Sequence, residues 1–287
     1  MTNLRTPIID THLHLWDPAY LSYPWLKTVP TINRAFLPAD YQNATEGIDV
    51  RGMVFVQCEA EPAHARQEVA WVTEQARTDP RIRGIVARAP VENGEAVRSE
   101  LDALSAYPLV RGVRRIIQFE SDVDFCLKPD FIRGVKLLPQ FNLTFDLCIK
   151  GDEQFDNTIA LARRCPEVTF ILDHAGKPDI KQRRTEPWRV QIRKLAGLPN
   201  VYCKLSGMVT EADPANWNRE DLKPYIDHVV ECFGFDRILF GGDWPVVMLA
   251  STLPKWVNAL DWAIDASESD RQKLFFRNAE RVYRLSK

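Results

Sequence analysis

Several large function classes leave no trace in this chain. The net charge is only −2 over 287 residues, so no excess of positive charge is available to attract nucleic acid or an anionic membrane surface. No apolar run approaches the roughly 20 residues that span a bilayer. Met1 leads within ten residues into a strand-like segment, so no signal peptide is expected. The six cysteines (Cys58, Cys126, Cys148, Cys165, Cys203, Cys232) contain no Cys-x-x-Cys pair and read as reduced, mostly buried thiols of a cytoplasmic protein. A Gly-x-Gly-x-x-Gly loop, a Gly-x-Ser-x-Gly elbow and a phosphate loop are all missing, which removes support for dinucleotide, serine-hydrolase and nucleotide chemistry. Linkers and low-complexity segments are missing too, so a single domain over residues 1–287 is expected. Hydrophobic residues at 45% and charged residues at 26% suit a globular protein with a sizeable core.

What the chain does contain is an alternation. Short runs rich in Val, Ile and Phe fall at 7–14, 52–57, 82–87, 112–118, 143–149, 168–174, 201–206 and 237–243. Helical spacing of apolar positions fills 62–77, 94–105, 122–138, 152–164, 185–197 and 219–233, with two more helices at 253–266 and 269–284. Eight strand–helix repeats predict parallel pairing and an α/β fold, a closed (β/α)8 TIM barrel, rather than an open doubly wound sheet. One long irregular stretch, 16–41, carries Trp16, Tyr23, Pro24, Trp25 and Phe36 directly after the first strand. Active sites of such barrels sit at the C-terminal ends of the strands, so this aromatic loop is placed to form part of a lid.

Only five histidines occur. Two lie in the first strand, Ile8-Ile9-Asp10-Thr11-His12-Leu13-His14, where strand alternation puts Asp10, His12 and His14 on one face. Alone, that pair reads equally as a metal or proton-transfer site and as two satisfied side chains. The sixth strand ends Leu172-Asp173-His174-Ala175-Gly176 and the eighth ends Phe240-Gly241-Gly242-Asp243-Trp244, which brings His174 and Asp243 to the same rim. His12, His14, His174 and Asp243 are therefore the candidate catalytic residues. His64 and His228, on helices, are expected to be solvated.

Imidazole and carboxylate ligands suit one divalent ion such as Zn²⁺, which acidifies bound water. The same groups also serve hydrolysis without metal, with Asp243 taking a proton from water and the histidines facing the oxyanion. Residue types do not separate the two, so either no cofactor or one divalent metal ion is expected, held by His12, His14, His174 and Asp243. Gln57, Arg114, Gln118, Asp146, Lys204 and Ser206 are further strand-end candidates. Arg114 and Lys204, if inward-facing, must bind substrate oxygens or pair with a carboxylate such as Asp146.

These blocks, together with Tyr23-Pro24-Trp25-Leu26, Arg111-Gly112-Val113-Arg114 and Cys203-Lys204-Leu205-Ser206-Gly207, resemble the amidohydrolase superfamily. Within it they resemble the lactone hydrolases, the branch of L-fuconolactonase, L-rhamnonolactonase and, more distantly, 2-pyrone-4,6-dicarboxylate lactonase. The resemblance implies a (β/α)8 fold and opening of a lactone to a hydroxy acid in sugar-acid catabolism. His12, His14 and His174 would surround the reacting carbonyl, and Asp243 would activate water. Binuclear members also use a carbamylated lysine and a further histidine; that histidine has no counterpart, because the fifth strand offers Asp146 and Cys148 instead, so zero or one metal ion is expected rather than two. No arginine follows the seventh strand before Arg219, so an uncharged polyhydroxylated small molecule is expected rather than a dicarboxylate. Trp16, Trp25 and Trp244 would offer ring faces; Gln57, Arg114 and Lys204 would meet hydroxyls. A 2-pyrone-4,6-dicarboxylate-type lactonase, a metal-dependent non-oxidative decarboxylase and a non-catalytic ligand-binding barrel are the alternatives. Neither a nucleic-acid nor a membrane partner is expected, and a homo-oligomer stays open.

Overall fold

Runs of Val, Ile and Phe too short for helices pair side by side through the whole chain. The computed structural model describes residues 4–285. Its strands are β1 (Ile8–Leu13), β2 (Val50–Val56), β3 (Ile82–Ala87), β4 (Val110–Arg114), β5 (Thr144–Leu147), β6 (Phe170–Leu172), β7 (Val201–Leu205) and β8 (Ile238–Phe240). They form one eight-stranded parallel sheet in sequence order. Leu13 bridges to Trp244, and the Thr11 hydroxyl donates to the Phe240 carbonyl at 2.6 Å, so the last strand returns to the first. The result is the expected (β/α)8 barrel. No helix among the described residues is long and apolar enough to cross a membrane.

All eight anticipated strands form, but the sixth and eighth are shorter than expected. Their last residues turn out of the ladder, and His174 and Asp243 adopt left-handed backbone at φ 54°. The helices Asp152–Arg164 and Arg219–Phe233 match their expected bounds. Others start late at a physical punctuation mark. Pro129 opens Pro129–Leu137, because proline fits the first turn, and Gly94 at φ 60° interrupts the stretch before Arg98–Leu104.

The inside of the barrel divides in two. Ile9, Val54, Val56, Val86, Ile171 and Leu239 form an apolar cluster closed by Tyr283 and Leu285 of the C-terminal segment. The buried residues of β4, β5 and β7 include Arg114, Asp146 and Lys204, whose charges must be matched within the fold.

Candidate functional site

The first strand does not run in simple alternation. Its register breaks between Asp10 and Leu13, and Asp10 leaves the company expected of it. Its carboxylate accepts from Tyr41 Oη (2.8 Å), from the Gly242 amide (2.7 Å) and from the His12 amide (3.0 Å), tying β1 to the end of β8 and to the helix Pro38–Ala44. A Cβ on Gly242 would come 2.3 Å from Asp10 Oδ2, so only glycine permits this tie.

Beyond the break the two histidines converge on the residues from β6 and β8. The rings of His12 and His14 lie 4.9 Å apart and those of His12 and His174 lie 4.4 Å apart. Asp243 Oδ1 stands 3.5 Å from His14 Nε2 and 3.8 Å from His12 Nε2. Thus the four residues picked from separate strand ends do meet. Burial opposes charge on Asp243, but His174, His14 and His12 outweigh it and hold the carboxyl well below the usual range. Burial pushes His174 down to about 4, against the pull of Asp243, so its ring is neutral near pH 7. His12 is likewise lowered by burial, with Asp173 opposing and Lys204 assisting.

Beneath His12 lies a closed charge network. Lys204 Nζ donates to Asp146 Oδ2 at 2.5 Å and pairs with Asp173 Oδ1 at 3.0 Å; Arg114 donates to Asp173 Oδ2 at 3.1 Å. Two cations face two carboxylates, which is the condition for burying them. Tyr283 Oη adds a hydrogen bond to Asp146 at 2.9 Å. Both ring nitrogens of His12 face cationic donors, Arg114 Nη1 at 3.3 Å from Nε2 and Lys204 Nζ at 3.3 Å from Nδ1, and Asp173 Oδ1 also lies 3.3 Å from Nδ1. Asp173, which pairs with both cations, holds them beside His12. Sequence reading passed over it as the neighbour of His174.

His174 is set from β7: its Nδ1 shares a 3.0 Å hydrogen bond with Ser206 Oγ, and the ring packs where a Gly207 Cβ would be, 2.4 Å away.

The cluster opens into a cavity of about 720 Å³ lined by His14, His174, Asp243, Trp16, Trp25 and Arg114 among others, a size suited to a small molecule. Trp25 donates its indole N–H to the Cys58 carbonyl at 2.8 Å and meets Trp16 edge-on at 5.4 Å, so the aromatic loop does form one wall. Three expected contact residues do not line this cavity. Lys204 is buried with its ammonium taken by carboxylates. Gln57 is buried with its amide turned to Glu59. Trp244 is buried and packs edge-on against Phe36 and Tyr41. In their place stand Glu59, Arg88, Cys148, Lys177 and Glu211: Glu211 ends the short helix Met208–Glu211, and the other four lie just past strand ends. His228, expected in solvent, is buried and donates Nε2–H to the Arg189 carbonyl at 2.9 Å.

His12, His14 and Asp243 offer ligand atoms within 4.8 Å of one another. His14 donates Nδ1–H to the Val56 carbonyl at 2.8 Å, the arrangement that orients a metal-binding imidazole. These residues fit a single divalent ion. The grouping of His12, Asp173 and His174 does not fit a second one, since both oxygens of Asp173 are engaged by Lys204 and Arg114.

Residues 9–285 match the family model described as Amidohydrolase. The chain is 31% identical to an L-fucono-1,5-lactonase of Burkholderia multivorans, covering 96% of each chain. It is 24% identical to an L-rhamnono-gamma-lactonase of Scheffersomyces stipitis, covering 97% of this chain and 98% of that one. The crystal structure of an amidohydrolase from Burkholderia multivorans with bound zinc superposes with a TM-score of 0.87 at 30% identity, over 97% of this chain and 99% of that one.

Proposed function

The chain belongs to the amidohydrolase family and is a lactone-hydrolysing enzyme, and from that premise we propose that it opens a neutral sugar-acid lactone, L-fucono- or L-rhamnono-lactone, to the aldonic acid. The observation that carries this reading is the placement of Asp243, ringed by three imidazoles at the wall of a small-molecule cavity. The lining cations Arg88, Arg114 and Lys177 are offset by Glu59, Glu61, Glu211 and Asp243, which favours an uncharged substrate over a dicarboxylate. Free cysteines and the absence of any disulfide suit a cytoplasmic site of action.

Asp243 holds the attacking water and takes its proton as the water oxygen bonds to the lactone carbonyl carbon. The carbonyl oxygen becomes an oxyanion beside His174, whose Nε2 carries the proton when Nδ1 accepts from Ser206 Oγ, in a buried setting where fixed donors act strongly. Collapse of the tetrahedral adduct breaks the ring C–O bond, and the proton held by Asp243 passes to the departing alkoxide. Asp243 is a weak base by environment, which suits an ester already reactive towards water. Arg114, Lys204 and Asp173 hold the His12 ring in place through both steps. A divalent ion held by His12, His14 and Asp243 would supply carbonyl polarisation and a more acidic water.

The test is a panel of sugar lactones followed by acid release with a pH indicator, on protein of known metal content and with spontaneous opening subtracted. Turnover of an aldonolactone supports the reading. Inertness across the panel refutes it.

A further inference from the structure

Left-handed backbone marks one more residue at this rim. Among the described residues, eight that are not glycine have φ between 50° and 56°. His174 and Asp243 are two of them, each within three residues of a strand end. Glu59, at φ 53° and three residues beyond β2, is another. Such a conformation costs a residue with a Cβ about 1 kcal/mol and persists where neighbours impose it. Here the neighbours are visible. Gln57 Nε2 donates to Glu59 Oε1 at 3.0 Å, and Gln57 Oε1 accepts from the Glu59 amide at 2.7 Å. The indole of Trp25 holds the carbonyl of Cys58 in the same turn. With Oε1 engaged, Oε2 has among the described residues only Arg88 Nη1 at 4.0 Å, and the side chain is 26% exposed on the cavity wall.

We propose that Glu59, clamped by Gln57, is the specificity-determining acceptor for substrate hydroxyls. A carboxylate fixed on both sides accepts charge-assisted hydrogen bonds from a polyhydroxylated ring, whereas a ring without hydroxyls has no proton to give it. The proposal rests on the lactonase reading for its substrate class and gives Gln57 an indirect, positioning role.

Glu59→Gln and Glu59→Gly test it on L-fucono-1,5-lactone and hydroxyl-free δ-valerolactone. The ratio of the two kcat/KM values is expected to fall about tenfold or more in both variants. The glycine variant is expected to melt no lower than the parent, because glycine adopts this φ freely. A ratio unchanged within twofold overturns the proposal, as does an equal loss on both lactones, which is what a purely structural role produces. Fluorescence titration with L-fucose and with δ-valerolactam reads the same discrimination without turnover. Selective loss of L-fucose affinity supports the role of Glu59, and equal change for both rings refutes it. If the parent hydrolyses no lactone of the sugar-lactone panel, the lactonase reading falls while the titration still decides the role of Glu59.

Discussion

His14 Nε2 stands 3.5 Å from Asp243 Oδ1, and the other nitrogen of the ring is already committed to the Val56 carbonyl. Two lone-pair carriers therefore face each other across a buried gap, an arrangement that calls for a cation between them: a second proton on His14 or one metal ion. Zn²⁺ titrated into chelator-stripped protein is expected to saturate at one ion per chain. His14→Ala should weaken that binding at least about tenfold. Saturation at two ions would contradict the engagement of Asp173 by Lys204 and Arg114.

Asp243→Asn keeps the shape of the side chain and removes the base. Lactone turnover should fall by about 10²–10⁴, the usual worth of a positioned base, with the circular dichroism spectrum unchanged. Near-parental rates would remove Asp243 from the mechanism.

Gly207→Ala tests the setting of His174. The added methyl would come 2.4 Å from His174 Nδ1, on backbone at φ 60°. A stability loss of about 1–3 kcal/mol is expected, together with a fall in kcat of about tenfold or more as the imidazole is displaced. Chemical denaturation and initial rates check the two effects separately.

Lys204→Met strands Asp146 in the barrel interior and leaves Asp173 with Arg114 alone. Breaking a buried pair in this way costs about 3–5 kcal/mol. Adding Asp146→Asn removes the uncompensated charge and should recover part of the loss. A double variant no more stable than the single one would show that the network is not electrostatically closed.

Glu68 gives a pH signature. Burial raises its carboxyl to about 8, with the Cys58 amide opposing through a 3.1 Å hydrogen bond. In the unfolded chain the group loses its proton near 4.3, so between roughly that pH and 8 the folded state binds more protons. Its contribution to stability is fully present at lower pH and is lost as pH rises through this window. Glu68→Gln should flatten that decline: little change at pH 4 and a gain of about 1–3 kcal/mol at pH 8. Urea titrations at the two pH values decide it, and a variant equally destabilised at both would show that Glu68 is not a buried neutral acid.

Much of the site was legible because barrel topology converts strand order into spatial convergence. Once His12, His14, His174 and Asp243 were assigned to strand ends, no contact information was needed to expect them in one place. Asp10 escaped the same logic because strand alternation assumes an unbroken register, and the irregularity between Asp10 and Leu13 is a matter of pairing with β2. Lys204 and Gln57 escaped it because strand periodicity says which residues face inward but not how deep they lie or which partners claim their polar atoms.

By itself, the sequence determined the alternation of eight strands with helices, the four residues at the rim and the resemblance to lactone hydrolases, all of which depend on local periodicity and order along the chain. Only the tertiary structure decided which polar groups remain free to meet a substrate. That follows from competition in a low-dielectric interior, where each charge takes the partner nearest in space. Arg114 and Lys204 neutralise Asp173 and Asp146 there, and the cavity wall is left to loop residues such as Glu59 and Trp25.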